Sequence, residues 1–260
     1  MQPYQQLNRS IDGRVAIITG AGSGMGRATA HLFAREGAKV AITDLHAEAC
    51  QTVAQEIKDA GYDNVAIWPL DVADADAIAC VVDEVVAKWG GLDIIINNAG
   101  FGNRMPMDDP DYDAQWAKQL AVMLTAHQVM FRAALPHLRQ SDAARVVNVA
   151  STEGWGATPG NSAYVAAKTG VIGLTRAQAA EYGREGITAN CICPGPIHTG
   201  ITAGIPDEHK EIYTKRRVPL RRYGIPEEVA NITLSVVLPA SSYLNGVAIP
   251  VDGGMLIKNA

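Results

Sequence analysis

A tyrosine and a lysine stand four residues apart in the segment NSAYVAAK, as Tyr164 and Lys168, and Ser151 precedes the tyrosine by thirteen positions. If this segment is helical, residues four apart share a face, so the ammonium group of Lys168 lies beside the phenol of Tyr164. A positive charge nearby favours the ionised phenol, which can then accept a proton. A serine hydroxyl brought near by the fold would hold a substrate oxygen. The three residues therefore predict proton transfer at a hydroxyl or carbonyl group.

A glycine-rich turn, TGAGSGMG over residues 19–26, lies directly between a predicted strand and a predicted helix. Backbone amides at a helix N-terminus attract phosphate, and glycines let the backbone approach it without a Cβ in the way. Glycines alone are a weak signal, but this position between strand and helix is typical of a dinucleotide site. The candidate cofactor contacts in the turn are Gly20, Ser23, Gly24, Met25 and Gly26.

Asp44 ends the second predicted strand, about twenty residues beyond the glycine turn, where a carboxylate can bind the ribose of an adenosine. The same carboxylate repels a 2′-phosphate. Two unit charges about 4 Å apart interact by about 4 kcal/mol at an effective dielectric near 20, and a third of that corresponds to about tenfold in affinity. Asp44 therefore predicts NAD rather than NADP. The alternative is an aspartate that only caps the next helix.

Two later strand ends supply further candidate contacts to the cofactor, because ligands of doubly wound sheets bind where the strands end. Asp71 and Val72 follow the third predicted strand, and the aspartate is placed to contact the adenine amino group. Asn98, Ala99 and Gly100 follow the fourth. Asn98 could equally be a structural residue that ties neighbouring loops together.

Short runs rich in valine and isoleucine alternate with longer helical patterns, which is the signal for parallel strands covered on both faces by crossover helices. No linker divides the chain, so we expect one α/β domain over residues 1–260, a Rossmann fold with a seven-stranded, parallel, doubly wound sheet. The predicted strands are 14–19, 39–44, 64–70, 93–97, 145–149, 188–192 and 247–251. The first predicted helix begins near 23–27 and ends at 37. The other predicted helices span 47–60, 74–89, 112–139, 163–182 and 227–238.

The segment 194–224 is long and irregular, with proline, glycine and scattered polar residues. In a compact domain such a segment is usually a binding loop or lid, so we expect it to cover the substrate. Residues 1–12 form a polar N-terminal extension with no apolar run, which predicts neither a secretion signal nor a membrane anchor.

Composition excludes several other classes of protein. The net charge of −5 is mild and the basic residues do not gather in one long run, which argues against nucleic-acid binding. The densest basic stretch, 215–217 followed by 221–222, is short and is interpreted as a solvated helix end, with a role near the cofactor phosphates as the alternative. The four cysteines fall in predicted helices and a predicted buried strand, and the six histidines show no metal-ligand spacing. We therefore expect a cytoplasmic protein with no metal site.

These motifs together resemble the short-chain dehydrogenase/reductase family, and the resemblance covers residues 13–254. Its elements are the glycine turn at 19–26, NNAG at 97–100, Ser151, the Tyr164/Lys168 pair, Pro194-Gly195 and VDGG at 251–254. Any one of them is weak, but their order and spacing are specific. The resemblance implies an NAD-dependent alcohol dehydrogenase or ketone reductase.

The resemblance also assigns roles to the catalytic candidates. Tyr164 would be the general acid in ketone reduction and the general base in alcohol oxidation. An ordinary phenol has a pKa near 10, so Lys168 and the positive nicotinamide ring would have to lower the pKa of Tyr164. Lys168 would also hold the nicotinamide ribose. Ser151 would stabilise the charge that develops on the substrate oxygen.

After the sixth strand, the segment PGPIHT looks like the family's clamp on the nicotinamide carboxamide. Its candidate contacts are Pro194, Gly195, the backbone of Ile197 and the hydroxyl of Thr199. His198 lies between the last two and would be a second acid–base group, although a lone loop histidine is more often merely exposed.

The chain departs from the family pattern at one position. An asparagine usually follows a common tryptophan by seven residues and supports a water that links the lysine to solvent. Here the tryptophan is Trp116 and the seventh residue is Met123, and no asparagine occurs between Asn103 and Asn148. A thioether accepts hydrogen bonds only weakly, so we expect an active enzyme with an altered proton relay.

The substrate contacts are expected to be Ser151, Glu153, Trp155 and Tyr164, and Trp155 suggests a pocket for apolar or ring-shaped groups. Plain packing or a subunit contact is the alternative for Trp155. A secondary alcohol or its ketone is the expected substrate.

Two other functions remain open: a protein that binds NAD with impaired catalysis, or a lyase or epimerase that uses bound NAD transiently. The resemblance further implies a homo-oligomer, either tetramer or dimer.

Overall fold

A single parallel sheet of seven strands forms the centre of the molecule, in the order β3-β2-β1-β4-β5-β6-β7. The structure is a computed structural model that describes residues 3–258. The strands are β1 Val15–Thr19, β2 Lys39–Asp44, β3 Val65–Pro69, β4 Ile94–Asn97, β5 Arg145–Val149, β6 Thr188–Pro194 and β7 Ala248–Val251. The predicted doubly wound sheet is confirmed, with strand boundaries that differ from the prediction by no more than two residues.

Nine α-helices are found among residues 3–258. They are α1 Gly24–Arg35, α2 Ala47–Asp59, α3 Ala75–Trp89, α4 Tyr112–Leu120, α5 Ala126–Leu138, α6 Ser162–Tyr182, α7 Gly200–Ala203, α8 Asp207–Arg217 and α9 Pro226–Val237. The junction before α3 shows how the sequence sets a boundary. The carboxylate of Asp74 accepts hydrogen bonds at 3.0 Å from the N–H groups of Asp76 and Ala77, and Gly90 at φ 85° ends the helix.

Both faces of the sheet are buried, which explains why the strands are continuous apolar runs. In β1, Ile18 packs into a core on the side of α1 and α9, whereas its neighbour Ile17 packs on the side of α3 and α5. Both side chains are fully buried. A strand places successive side chains on opposite faces, so a central strand covered on both sides needs apolar residues throughout.

The predicted helix 112–139 is interrupted. Between α4 and α5 the chain makes one wide π-helical turn, Ala121–Thr125, and Met123 lies at its centre. Such insertions widen a helix without ending it, and they occur frequently at functional sites.

The predicted irregular segment 194–224 contains more regular structure than expected. It includes the end of β6 and two helices, α7 and α8. Its two ends are joined by hydrogen bonds, because the N–H of Gly224 donates to the carbonyl of Pro196 at 2.9 Å and that of His198 to Gly224 at 3.0 Å. The segment therefore leaves the sheet after β6 and returns to the same place, so that its two ends are held together.

The N-terminal residues reach the core at Ile11, which is 1% exposed, while Tyr4 is 93% exposed. Within residues 3–258, none of the helices combines the length and the apolar character needed to cross a membrane.

Candidate active site

The glycine turn between β1 and α1 is folded so tightly that side chains would not fit. A Cβ on Gly26 would lie 2.2 Å from the carbonyl oxygen of Gly20, and one on Gly20 would lie 2.8 Å from the Cα of Ala99. Ser23, at the N-cap of α1, makes no side-chain capping hydrogen bond. The first amides of the helix are therefore available to an anionic group such as a pyrophosphate.

Asn98 holds this turn in place. Its side-chain amide donates to the carbonyl of Thr19 at 2.8 Å and to that of Gly20 at 3.2 Å. The structural alternative for Asn98 is thus directly supported. Asn98 also lines the cleft described next, so it both shapes and borders the nucleotide site.

A cleft of about 600 Å³ runs along the carboxyl ends of β1, β2, β3 and β4. It brings together eleven of the predicted cofactor contacts. They are Gly20, Ser23, Gly24, Met25, Asp44, Asp71, Val72, Asn98, Ala99, Gly100 and Thr199. The cleft size and the glycine turn fit a dinucleotide.

Several lining residues were not among the predicted cofactor contacts. They are Leu45, His46, Leu70, Ala73, Phe101, Lys118, Val122, Gly200 and Ile201. Leu45, His46, Leu70, Ala73 and Phe101 lie within four residues of the end of a predicted strand, and that proximity was the signal available in the sequence for them.

Asp44 has two structural partners. One carboxylate oxygen accepts from the N–H of Gly22 at 3.0 Å, and the other accepts from the N–H of His46 at 3.2 Å. The first bond fixes the glycine turn and the second orders the start of α2. Asp44 therefore stabilises this helix start, and it also presents a negative charge inside the cleft.

The clamp segment after β6 lies partly outside the cleft. Pro194 belongs to β6, and Ile197 is 6% exposed. The carbonyl of Ile197 already accepts a hydrogen bond from Thr202 Oγ1 at 2.8 Å. A carboxamide would therefore be bound by the N–H of Ile197. Gly195 lies against Asp252, where an added Cβ would be 2.7 Å from the Cα.

Ser151, Tyr164 and Lys168 converge beyond the other end of the cleft. Ser151 follows β5 and is 8% exposed, and its hydroxyl accepts from the N–H of Glu153 at 3.1 Å. Tyr164 and Lys168 lie one turn apart on α6, with the Lys168 Nζ 5.6 Å from the centre of the tyrosine ring. The Nζ donates to the carbonyl of Val149 at 2.8 Å.

Burial governs the electrostatics of this pair in the protein alone. It raises the pKa of Tyr164, and hydrogen bonding with the Ser151 hydroxyl opposes that effect only in part. Burial lowers the pKa of Lys168 to about 8, and its ammonium group is bonded to a strand rather than to the phenol. The decrease in the Tyr164 pKa that Lys168 and the nicotinamide ring would cause together stays a prediction for the protein with bound cofactor.

A buried hydrogen-bond network fixes α6 on the sheet. The Asn97 side chain at the end of β4 donates to the side-chain carbonyl of Asn148 at 2.9 Å. The Asn148 amide donates in turn to Thr175 at 3.0 Å and to Gln178 at 2.9 Å, both on α6. The register of the helix that carries Tyr164 and Lys168 is therefore set by two neighbouring strands.

Met123 lies next to this site. It is fully buried, and a Cβ added to Gly100 would lie 3.4 Å from the Met123 sulfur and 3.8 Å from the Lys168 Nζ. The thioether thus borders the same small space as the ammonium group.

The candidate substrate residues Glu153 and Trp155 have different environments. The Glu153 carboxylate accepts from the N–H and hydroxyl of Thr158, at 2.9 and 2.7 Å, and from the Asn161 amide at 3.4 Å. It therefore braces the loop that follows Ser151. Trp155 is 52% exposed, which leaves its ring accessible.

The edge of the sheet where the strands end thus joins a nucleotide cleft to a serine, tyrosine and lysine cluster, and this combination defines a nicotinamide-dependent oxidoreductase of the α/β type. Residues 20–256 match the family model described as enoyl-(acyl carrier protein) reductase. The chain belongs to the short-chain dehydrogenase/reductase family, as the motifs predicted.

Relatives with known names cover nearly the whole chain. The 3-oxoacyl-(acyl-carrier-protein) reductase of Thermotoga maritima is 36% identical over 95% of this chain and 99% of its own length. The cis-4-hydroxycyclohexanecarboxylate dehydrogenase of Sinomonas cyclohexanicum is 37% identical over 93% and 96%. A crystal structure assigned as an NAD(P)-dependent gluconate 5-dehydrogenase from Beutenbergia cavernae, with NADP at low occupancy, superposes with a TM-score of 0.90 at 34% identity, covering 96% of this chain and all of that one.

Proposed function

We propose that this protein is an NAD-dependent oxidoreductase that interconverts a secondary alcohol and its ketone, with Tyr164 as the acid–base residue. The observation that carries the proposal is the convergence of Ser151, Tyr164 and Lys168 beside a dinucleotide cleft. Bound NAD supplies the hydride acceptor for alcohol oxidation and, when reduced, the hydride donor for ketone reduction.

The residues of the chain perform the proton half of the reaction. In alcohol oxidation, Tyr164 takes the hydroxyl proton as the carbon loses its hydride, and Ser151 donates a hydrogen bond to the oxygen. Burial raises the pKa of Tyr164 in the protein alone, so its ionisation depends on positive charge close by. Lys168 provides one such charge, and the oxidised nicotinamide provides another when bound.

The preference for NAD is supported by the charge on Asp44. Its carboxylate lines the cleft beside the glycine turn, and the two cleft residues that follow it, Leu45 and His46, are neither arginine nor lysine. The lysine that lines the cleft, Lys118, lies over the ring of Phe101. The presence of NADP in the related gluconate dehydrogenase structure makes cofactor choice the first property to measure.

The names of the relatives indicate the substrates to try first. One acts on a cyclic hydroxy acid, one is assigned to gluconate and one reduces an oxoacyl group. We propose a secondary alcohol on a cyclic or extended carbon skeleton, bound under the segment 194–224.

Replacement of Tyr164 by Phe tests the proposed mechanism. We expect the kcat for oxidation of cyclic and linear secondary alcohols to fall about 100-fold or more, the usual contribution of a general acid–base group. NAD affinity, measured by fluorescence titration, should remain within about twofold, since the phenyl ring is kept. Comparable turnover by the variant would overturn the assignment of Tyr164.

The same assay separates the alternatives. Steady production of NADH from a secondary alcohol supports the dehydrogenase. Product formation without net NADH would indicate a lyase or epimerase. NAD binding with neither outcome across the panel would indicate an impaired, cofactor-binding protein, for which Met123 beside Lys168 is the supporting feature.

We also propose that the protein is a homo-oligomer, a tetramer or a dimer, as the family resemblance implies. Light scattering coupled to size-exclusion chromatography would measure the mass directly, and a mass of 27.6 kDa would refute this proposal.

A further inference from the structure

A second cavity, of about 470 Å³, lies directly beyond Ser151, between the loop that follows β5 and helix α8. Thr152 and Glu153, the two residues that follow Ser151, line this cavity, and Tyr213 of α8 lines it from the other side. The cavity therefore adjoins the serine, tyrosine and lysine cluster rather than the nucleotide cleft, and the charge of Glu153 acts on both Tyr164 and Tyr213.

The walls of this cavity differ in character. Ile212, Met255 and Leu256 form an apolar part, which is suited to a hydrocarbon ring or chain. The hydroxyl of Tyr213 donates to the sulfur of Met255 at 3.1 Å and so closes that side. Arg216 and Arg217 form a basic part at the C-terminal end of α8.

The arginines of the cavity have no acidic partner. Within residues 3–258, neither Arg216 nor Arg217 is within ion-pair distance of a carboxylate. Arg222, a few residues later, is by contrast bonded to both oxygens of Glu228, at 2.6 and 2.8 Å. The guanidinium groups of Arg216 and Arg217 are therefore available to an anionic ligand in the cavity.

A third arginine, Arg104, is near enough to Tyr213 for its charge to act on that side chain. The positive charges of Arg104 and Arg217 both act on Tyr213 and oppose the rise in its pKa that burial causes. Arg104 also acts on Tyr223. Its neighbour Met105 donates from its N–H to the carbonyl of Gly160 at 2.7 Å, which ties Arg104 to the loop that lines the cavity.

The acidic residues nearby only partly offset this charge. Glu153 lines the cavity and keeps its negative charge, because its three hydrogen bonds come from neutral groups of Thr158 and Asn161. On α8, Asp207 pairs with Lys210 at 3.0 Å and Glu211 pairs with Lys215 at 2.6 Å. Because one carboxylate faces several arginines, an excess of positive charge remains.

We propose that the substrate is a hydroxy acid or oxo acid whose carboxylate is bound by Arg217 and Arg104, while its carbon skeleton lies against Ile212, Met255 and Leu256. Guanidinium groups match a carboxylate in geometry as well as charge, since each can donate two parallel hydrogen bonds. This inference rests on the proposed function and specifies the class of its substrate.

The test compares two ligands that differ only in charge, cyclohexanecarboxylate and cyclohexanecarboxamide. Their binding to the protein saturated with NADH is measured by isothermal titration calorimetry, which does not depend on turnover. We expect the carboxylate to bind about tenfold more tightly or better, and its affinity to fall as NaCl is raised.

Arg217→Gln and the double variant Arg104→Gln/Arg217→Gln should remove this preference stepwise. Arg217→Lys should retain part of it, because the charge is kept and the paired donors are lost. Arg184→Gln is the matched control: Arg184 is exposed, lies outside the cavity and is likewise without an ion-pair partner among residues 3–258. NADH affinity should be the same in all variants.

The proposal is overturned if the two ligands bind equally, if neither binds, or if the double variant keeps the preference for the carboxylate. Failure of the proposed function has a different signature. In that case no hydroxy acid or neutral alcohol yields NADH, while the charge preference and its loss in the arginine variants persist.

Discussion

Lys168 is bonded to the main chain of β5 rather than to the phenol of Tyr164, although the two residues share a helix face. Their i, i+4 spacing was sufficient to predict that they lie together. It could not predict the state of the phenol, because burial depends on everything packed around α6. The same limit applies to Glu153, whose hydrogen bonds to Thr158 and Asn161 depend on the path of a loop.

Asp44 is the residue at which cofactor choice can be altered most directly. In Asp44→Ser, both cofactors should bind more weakly, since the bonds to the N–H groups of Gly22 and His46 are disturbed. The loss should be smaller for NADP, because the repulsion of its 2′-phosphate is removed. We expect the ratio of kcat/KM for NAD to that for NADP to fall about tenfold, a difference of about 1.4 kcal/mol.

Asp74→Ser provides the matched control for this measurement. Asp74 also orders the start of a helix, is exposed, and lies outside the nucleotide cleft. Its replacement should lower stability by no more than about 1 kcal/mol and leave the cofactor ratio unchanged. An unchanged ratio in Asp44→Ser would remove the electrostatic argument for NAD.

At the scale of elements, the strands were the most predictable part of the molecule. Buried parallel strands are short apolar runs bounded by polar residues, so both their number and their limits could be predicted. Helix α8 was not predicted, because it lacks such an apolar pattern. Its sequence, DEHKEIYTKRR, has almost no apolar periodicity, because most of the helix is exposed.

The π-helical turn between α4 and α5 was also unpredictable from the sequence. One wide turn hardly disturbs the spacing of apolar residues over 112–139, so the pattern indicates a single helix. The structure places Met123 at the centre of this turn. Its sulfur and the Lys168 Nζ both lie within 4 Å of the position that a Cβ on Gly100 would take.

Met123→Asn tests whether the thioether limits proton release. An amide at this position can hold a water molecule next to Lys168, which methionine does only weakly. We expect kcat for alcohol oxidation to rise below about pH 8, the pKa to which burial lowers Lys168, with NAD affinity unchanged. A stability cost of about 1–3 kcal/mol is expected where the buried amide is not fully bonded.

Met123→Leu is the control, since it keeps the volume and apolar character of the side chain and should cost less than about 1.5 kcal/mol. Its pH profile should match that of the natural protein. If Met123→Asn also leaves the profile unchanged, the relay does not pass this position.

At the scale of the whole molecule, His127 links acidity to stability. It is 2% exposed on α5, and neither ring nitrogen has a hydrogen-bond partner within residues 3–258. Burial, with a smaller contribution from the charge of Lys168, lowers the pKa of His127 to about 3. The unfolded chain, with a histidine pKa near 6.5, binds this proton more readily, so stability is lost as pH falls from about 6.5 towards 3.

Replacement of His127 by Leu should therefore flatten the acid dependence of stability. Between pH 7 and pH 5 this histidine alone should lower the free energy of unfolding by about 2 kcal/mol, and the variant should lack that part of the decline. Urea denaturation at the two pH values measures the difference. His137 lies in the last turn of the same helix, and the free energy of unfolding of His137→Gln should fall between the two pH values as much as that of the natural protein. An equal fall in His127→Leu would contradict the role given to His127.

Every strand of the sheet points the same way, so the nucleotide cleft and the arginine-bearing cavity emerge at one edge, on separate segments. Most of the cleft is built from the first half of the chain, and Thr199, Gly200 and Ile201 are the residues of the segment 194–224 that also line it. Helix α8 lies further along that segment, among the residues that line the cavity. The length or charge of α8 can therefore change during evolution while the residues of the nucleotide cleft stay the same. For the protein engineer, transplanting residues 205–223 between relatives should exchange the acids or alcohols that are accepted and leave the coenzyme the same.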